Sequence, residues 1–237
     1  MDIALRIREL KEERNAVILA HNYQNPEIQD VADFCGDSLG LSRQAAQTDA
    51  EVIVFCGVSF MAETAKILSP EKTVILPERM AGCPMADMID ANQLRQLKAK
   101  HPEAKVVSYV NSSAEVKAES DSCCTSANAA RVVEAMGPGE IIFVPDQNLG
   151  SWVAKQLGRD LILWDGYCLT HHRLGARDVE AARNAHPGAP VVVHPECRPE
   201  VVEVADSVQS TEGMIRFAKE TSAQEILVGT EMGMIHR

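Results

Sequence analysis

The sequence predicts an α/β fold of three α/β/α units related by a pseudo-threefold repeat, each built on a short parallel sheet, with the third unit incomplete. Short runs rich in Val and Ile alternate with helical patterns along the chain, which is typical of βαβ connections and parallel strands. A set of polar residues also recurs 88 positions after its first occurrence and again 85 positions later. A fixed period of this kind indicates an internal repeat.

The repeated set has four members and follows an apolar run in each copy. A polar residue ends the run and a second lies two positions later; an aspartate lies twelve positions after the first, and a hydroxyl residue follows five positions after the aspartate. Four positions that match three times without a gap rarely do so by chance, so we expect the three copies to meet at one site. The members are His21, Tyr23, Asp33 and Ser38, then Tyr109, Asn111, Asp121 and Ser126, and finally His194, Glu196, Asp206 and Thr211.

The first unit follows an amphipathic, solvated helix predicted over residues 1–14. A β-branched run predicts a buried strand at its start, and Asn25 with Pro26 is typical of the beginning of a helix. A second helix begins at Asp37 or Ser38. The predicted elements are a strand over 16–20, helices over 25–34 and 38–47, a strand over 51–57, a helix over 60–68 and a strand over 72–77.

The second and third units show the same order of elements. In the second unit these are a strand over 105–110, helices over 114–121 and 126–137, a strand over 139–145, a helix over 149–158 and a strand over 160–166. In the third unit they are a strand over 190–194, helices over 199–206 and 210–220, a strand over 225–229 and an element that begins at 231.

Short joints that contain Pro or Gly separate the units. They lie at 100–102 and 186–190, which predicts units at 15–101, 102–187 and 188–237. In open α/β sheets the loops that follow the carboxyl ends of the strands carry the chemistry. His21, Tyr109 and His194 occupy that position.

Charge and composition exclude several classes of partner. The net charge of −11 disfavours nucleic acid and anionic membranes, and 4% aromatic residues give no platform for stacking bases. Neither GxxxxGK nor GxGxxG occurs, so we expect no nucleotide cradle. The N-terminus lacks the apolar core of a signal peptide, and no run is long enough to span a membrane. We therefore expect a cytoplasmic protein.

Two of the seven cysteines follow the repeat. Cys83 and Cys168 are 85 residues apart and each follows the last strand of its unit, so a third partner would lie near position 253, beyond Arg237. Three thiolates on a pseudo-threefold axis suit a [4Fe–4S] cluster with one open iron, although soft thiolates also bind zinc. An odd number of cysteines disfavours a disulfide framework. We expect packed or buried thiols at Cys35, Cys56, Cys123, Cys124 and Cys197.

With these residues in view, the sequence resembles the quinolinate synthase family. The resemblance covers essentially the whole chain and is carried by AHNYQNPEIQDVADFCGDSLGLS, YVNSSAEVKAESD, VVVHPECRPEV, GTEMGMIHR and the surroundings of Cys83 and Cys168. It implies an enzyme of NAD biosynthesis that condenses iminoaspartate with dihydroxyacetone phosphate to quinolinate, phosphate and water. It also implies three α/β domains around an oxygen-sensitive [4Fe–4S] cluster, and a functional link to L-aspartate oxidase.

The resemblance assigns roles to residues of this sequence. It implies that Cys83 and Cys168 are cluster ligands and that the open iron acts as a Lewis acid. The family's third cluster cysteine lies in a C-terminal stretch that this sequence lacks, so we expect a truncated chain and leave its activity open. The implied substrate contacts are His21, Ser38, Tyr109, Val110, Asn111, Ser126, His194, Pro195, Glu196 and Thr211. The acid/base candidates are Tyr23, Tyr109, His194 and Glu196.

The residue types fit these roles, with simpler alternatives. Hydroxyls at helix starts, as expected for Ser38, Ser126 and Thr211, suit carboxylate or phosphate groups, but plain N-capping is the alternative. For the repeated aspartates we expect a structural role, in which Asx-type hydrogen bonds hold the loop before a helix. These residues are Asp33, Asp121 and Asp206.

Two other functions remain open from the residues alone. One is a non-catalytic iron–sulfur or metal sensor, which would use the cysteines without the polar residues of the repeat. The other is a zinc hydrolase that binds its metal through Cys168, His171 and His172.

Overall fold

The computed structural model describes residues 2–237 and contains three parallel β-sheets flanked by helices. This confirms the predicted α/β class with short parallel sheets. The chain forms two compact units: one comprises the residues up to Cys83 together with Met232–Arg237, and the other comprises Pro84–Glu231. The three repeat boundaries and the pseudo-threefold arrangement stay predictions. Within residues 2–237, no helix combines the length and apolar character needed to cross a lipid bilayer.

The first unit alternates helices with the strands of one sheet. Its elements are α1 (Ile3–Glu13), β1 (Ala16–His21), α2 (Pro26–Val31), β2 (Phe34–Gly36), α3 (Ser38–Gln47), β3 (Val52–Cys56), α4 (Ser59–Leu68), β4 (Thr73–Ile75) and a 3-10 helix (Met232–His236). All strands are parallel, in the order β2-β1-β3-β4. The central strands bury Leu19, Ala20, Ile53 and Phe55, which form the core of this unit.

The second unit contains two sheets. Its elements are a 3-10 helix (Ala86–Met88), α5 (Ala91–Lys100), β5 (Lys105–Tyr109), α6 (Ala114–Ala118), β6 (Ser122–Cys124), α7 (Ala129–Ala135), β7 (Ile141–Val144), α8 (Gln147–Leu157), β8 (Ile162–Leu163), α9 (Leu169–Arg173), α10 (Ala176–Ala185), β9 (Val191–Val193), α11 (Pro199–Val204), β10 (Ser207–Val208), α12 (Thr211–Glu220) and β11 (Leu227–Gly229). The sheet orders are β6-β5-β7-β8 and β10-β9-β11. The strand order of the first unit therefore recurs, with three strands in the last sheet.

Each sheet of the second unit has its own apolar core. In the four-stranded sheet, Val106, Ile142 and Val144 pack with Leu94 and Val116. In the three-stranded sheet, Val191 and Val193 pack with residues of the covering helices, namely Val179, Val201 and Val202, and with Cys197. The Val-rich runs are therefore buried strands, as their composition predicts.

The sequence pattern does not predict the short edge strands β2, β6 and β10. Each has only two or three residues, so it carries no measurable periodicity. Pairing with the central strands β1, β5 and β9 creates them. The preceding helices end earlier than predicted, at Val31, Ala118 and Val204.

A repeated aspartate fixes each edge strand to the central strand of its sheet. The aspartate N–H donates to the carbonyl of a central-strand residue fifteen positions earlier, and the N–H of that same residue donates to the aspartate Oδ2. The distances from N to Oδ2 are 2.8 Å for Ile18 and Asp33, 2.7 Å for Val106 and Asp121, and 2.7 Å for Val191 and Asp206. The aspartates are structural, as expected, but they hold a strand and not the loop before a helix.

We call this pair of hydrogen bonds the aspartate clamp. The clamp at Asp121 predicts that loss of its carboxylate destabilises the protein. Asp121→Ala leaves the N–H of Val106 without its acceptor at a fully buried position, which should lower the free energy of unfolding by about 1–3 kcal/mol. Asp121→Asn keeps one acceptor oxygen and should lose less. Urea denaturation measures both, with Glu134→Ala, an exposed substitution on α7, as the control. If Asp121→Ala is as stable as Glu134→Ala, the clamp does not stabilise the sheet.

Candidate active site

The candidate site of the second unit lies where β5 and β9 end. Tyr109 is the last residue of β5, and Asn111 follows two positions later. His194 directly follows β9, and Glu196 again lies two positions later. Tyr109, His194 and Glu196 are buried, with at most 4% of each residue exposed. β5 and β9 belong to different sheets, and their ends meet because side chains that follow each strand contact one another, as Asn111 and Glu196 do.

The carboxylate of Glu196 is the centre of this cluster. Its Oε2 lies 2.7 Å from Nδ1 of His171 and 3.5 Å from Nδ1 of His194. Nδ2 of Asn111 lies 3.5 Å from Oε1, and the Tyr109 side chain also hydrogen-bonds the carboxylate. Four side chains, from β5, α9 and the loops after β5 and β9, thus converge on one buried carboxylate.

The surroundings of Glu196 keep it ionised. Burial alone would raise its pKa, but the charges of His194 and His171 and the hydrogen bonds from His171 and Tyr109 outweigh burial and lower the pKa. The buried carboxylate is therefore an anion at neutral pH. An ionised carboxylate beside two imidazoles is able to accept and return protons.

His171 is a member of the cluster that the repeat does not identify. It is 2% exposed, and its ring stacks on that of His194 with centroids 4.6 Å apart. Its Nδ1 lies 3.1 Å from Sγ of Cys168, and its Nε2 lies 2.8 Å from Oγ1 of Thr230. The sequence signal is the pair of histidines after Cys168, which the zinc hydrolase hypothesis assigns as zinc ligands. His171 and Thr230 also line a cavity of about 320 Å³.

Asn148 supports the backbone of Glu196 from the first turn of α8. This buried amide donates from Nδ2 to the Glu196 carbonyl at 3.0 Å and lies 3.2 Å from Nδ1 of His172. Asp146 caps α8 by accepting from the N–H groups of Asn148 and Leu149, at 2.8 and 2.9 Å. Burial and the charge of Glu196 raise the pKa of Asp146. Neither residue belongs to the repeated set, so no sequence pattern marks them.

Cys168 places a thiol at the edge of the group of side chains around Glu196. Burial, and then the charge of Glu196, raise its pKa, so the thiol keeps its proton unless a cation compensates. Ligand atoms of Cys168, His171 and Glu196 all lie within 4.8 Å of one another, so this group is able to hold a metal ion. His172, which the zinc hydrolase hypothesis requires, instead packs its ring on Tyr167 with centroids 4.2 Å apart.

The cysteines predicted as cluster ligands occupy matching places. Cys83 follows β4 and Cys168 follows β8, each after the last strand of a four-stranded sheet. Both are partly buried, and none of the seven cysteines, all within residues 2–237, is in a disulfide bond. Soft, partly buried thiols suit an iron–sulfur cluster, so the residues present fit two of its ligands.

The remaining cysteines follow the prediction with one exception. Cys124 and Cys197 are buried, and Cys35 and Cys56 are partly buried. Burial, followed by the charge of Glu196, raises the pKa of the Cys197 thiol to about 12. Cys123 is exposed, contrary to the prediction, because the short strand β6 points successive side chains to opposite faces at the edge of its sheet.

The first unit carries the first copy of the repeated set. His21 ends β1, and its Nδ1 accepts a hydrogen bond from the N–H of Tyr23 at 3.3 Å. The N–H of Glu196 donates to Nδ1 of His194 at the same distance, 3.3 Å, so the two copies share a local geometry. The rings of His21 and Tyr23 meet edge to face, 4.6 Å apart. The backbone of Gly233 lies close to that of Tyr23, because a Cβ at position 233 would be 2.7 Å from the Tyr23 carbonyl oxygen.

The three hydroxyl residues differ in their relation to helix starts. Ser38 and Thr211 are the first residues of α3 and α12, but the caps are the preceding residues Asp37 and Ser210, whose side chains accept from backbone N–H groups. Plain N-capping therefore does not explain Ser38 or Thr211. Ser126 lies three residues before α7 and does not begin that helix, contrary to the prediction.

Two predicted substrate contacts are defined mainly by their backbone. The N–H of Val110 donates to the carbonyl of Cys124 at 2.8 Å, which extends the pairing of β5 with β6. Pro195 is buried between His194 and Glu196. Both therefore help to fix the direction of the neighbouring polar side chains.

Comparison with known proteins assigns the family. Residues 5–237 match the family model described as "NadA: Quinolinate synthetase A protein". The chain belongs to this family. It is 58% identical over 235 residues to quinolinate synthase 1 of Methanosarcina acetivorans, covering 99% of this chain and 77% of that protein. It is 58% identical over 229 residues to the quinolinate synthase of Thermodesulfovibrio yellowstonii, covering 96% and 76%.

A third relative gives the same result. The quinolinate synthase of Desulforudis audaxviator is 56% identical over 237 residues, covering 100% of this chain and 78% of that protein. The prediction from the sequence of an enzyme of this family is confirmed.

Proposed function

We propose that this chain is a quinolinate synthase, which condenses iminoaspartate with dihydroxyacetone phosphate to quinolinate, phosphate and water in NAD biosynthesis. The observation that carries the proposal is the buried, ionised Glu196, surrounded by Tyr109, Asn111, His171 and His194 in a chain 58% identical to proteins named quinolinate synthase. A cytoplasmic location follows from this role. An L-aspartate oxidase is a functional partner because oxidation of aspartate yields iminoaspartate.

The proton transfers of this reaction suit the group of side chains around Glu196. Enolisation of a triose carbonyl, imine formation, ring closure and loss of water each move a proton. Glu196 accepts a proton at Oε2, and His171 and His194 lie within 2.7 and 3.5 Å to exchange it. Tyr109 is the proposed hydroxyl donor, and Tyr23 is a second acid/base group. A metal sensor requires none of these groups.

The anionic groups of the substrates suit the hydroxyls and imidazoles of the repeat. Iminoaspartate carries two carboxylates, and dihydroxyacetone phosphate carries a phosphate. We assign their recognition to His21, Ser38, Asn111, Ser126, His194 and Thr211. Ser38 and Thr211 lie in the first turns of ten-residue helices, where backbone N–H groups and the helix dipole favour anions. Val110 and Pro195 contribute through their backbone positions.

The proposed cofactor is a [4Fe–4S] cluster bound by Cys83, Cys168 and a third thiolate that the family resemblance leads us to expect. Two observations support Cys83 and Cys168 as ligands: they occupy matching positions after β4 and β8, and both thiols are partly buried. When bound, the cluster supplies a Lewis acid through its open iron. The chain's own residues hold the substrate and move its protons.

Removing one hydroxyl tests the proton-transfer role. Tyr109→Phe deletes the hydrogen bond to Glu196, and kcat for quinolinate formation should fall by roughly 10²-fold or more, the usual contribution of a positioned acid or base. Iron content should not change. Tyr167→Phe is the matched control because Tyr167 packs on His172 and is not among the groups that bind Glu196. Equal kcat values for the two variants would remove Tyr109 from the mechanism.

Removing one thiol tests the cofactor. Cys83→Ala should abolish retention of iron and acid-labile sulfide after anaerobic purification, since the cluster loses a ligand. Cys123→Ala removes an exposed thiol outside the proposed ligand set and should keep both. Normal iron and sulfide in Cys83→Ala would contradict the assignment of that ligand.

A further inference from the structure

Three donor atoms of different types converge beside the proposed cluster ligand Cys168. Sγ of Cys168 lies 3.1 Å from Nδ1 of His171, and that nitrogen lies 2.7 Å from Oε2 of Glu196. All three atoms lie within 4.8 Å of one another. A thiolate, an imidazole and a carboxylate are the ligand types that zinc takes in proteins, commonly three at a time with a fourth position open.

We propose that Cys168, His171 and Glu196 bind a single divalent cation of the zinc class in protein that carries no iron–sulfur cluster. This goes beyond the proposed function because it makes His171 and Glu196 metal ligands. The site lies entirely within Pro84–Glu231. The proposed ligand set does not include Cys83.

The local backbone presents two of the ligands together. Cys168 immediately precedes α9, and His171 lies three positions later on that helix. Residues three apart on a helix face the same side, so Sγ and Nδ1 point to a common space. Glu196 enters from the loop after β9, which is a separate element. Ligands from two elements enclose the cation without any change of fold.

Two of the three ligands already have the outer partner that metal ligands usually have. The far nitrogen of His171, Nε2, lies 2.8 Å from Oγ1 of Thr230, which orients Nδ1 toward the site. The far oxygen of Glu196, Oε1, accepts from Asn111. The cavity of about 320 Å³ that reaches His171 and Thr230 brings solvent to the edge of the site. These are features of a built metal site.

The charge of the site also balances. On binding, the S–H bond of Cys168 breaks and a metal–sulfur bond forms; the proton that Nδ1 of His171 shares with Glu196 also leaves, so both protons go to solvent and Nδ1 bonds the cation. The two positive charges of the cation then match one thiolate and one carboxylate, with His171 neutral. Because Cys168 is also the proposed cluster ligand, cation and cluster exclude each other. Only this last consequence rests on the proposed function.

Cobalt(II) tests the site because its spectrum reports thiolate ligation. Titration of the cluster-free chain with Co²⁺, without oxygen, should give a thiolate-to-cobalt charge-transfer band that Zn²⁺ removes by displacement. Cys168→Ser should abolish the band. His171→Asn and Glu196→Gln should weaken Co²⁺ binding by on the order of 100-fold or more, and Thr230→Val by roughly 10–100-fold, as for loss of an outer partner.

The neighbouring residues supply matched controls. His172→Asn changes the adjacent histidine of α9, and Cys123→Ser changes an exposed thiol; both should bind Co²⁺ as the unmodified chain does. Cys83→Ala should lose iron yet keep the Co²⁺ spectrum, so this inference and the cluster proposal fail separately. Circular dichroism confirms that each variant is folded.

Three results of the Co²⁺ titration would overturn the proposed metal site. Absence of the charge-transfer band in the unmodified chain would overturn it. Equal Co²⁺ affinity in His171→Asn, Glu196→Gln and the unmodified chain would also overturn it, as would a band that persists in Cys168→Ser.

Discussion

A carboxylate buried as deeply as that of Glu196 is stable only when cations and hydrogen-bond donors replace its lost water. His171, His194, Tyr109 and Asn111 supply that replacement. The same partners define the chemistry of the site, because the carboxylate orients two imidazoles, which are the commonest general acids and bases in enzymes. Removal of any one partner therefore affects both the charge state and the geometry of the others.

The sheets are what bring these partners together. β5 and β9 are the central strands of two parallel sheets, and polar residues lie at or directly after their carboxyl ends. The aspartate clamps fix each edge strand against its central strand. Asn148, from the first turn of α8, then holds the Glu196 carbonyl and faces His172. The positions of the reactive groups thus depend on strand register, which apolar burial determines.

Sequence periodicity was sufficient for the central strands of the sheets and for four of the five residues that make up the Glu196 cluster. The repeat identified Tyr109, Asn111, His194 and Glu196 because each occupies a fixed offset after an apolar run. Asn148 and Thr230 lie outside those offsets and join the cluster only through folding, so no local pattern marks them. His171 also lies outside the offsets, and only its position beside His172 after Cys168 marks it. The clamps were missed for the same reason: each aspartate binds a residue fifteen positions away.

If the charge on Glu196 drives turnover, an isosteric substitution that removes this charge should slow the reaction. In Glu196→Gln, the side chain keeps its size but cannot take a proton. Quinolinate formation, measured at full cluster occupancy, should fall by roughly 10²–10⁴-fold, the usual contribution of a general acid or base. Turnover close to that of the unmodified protein, with equal iron content, would contradict the account.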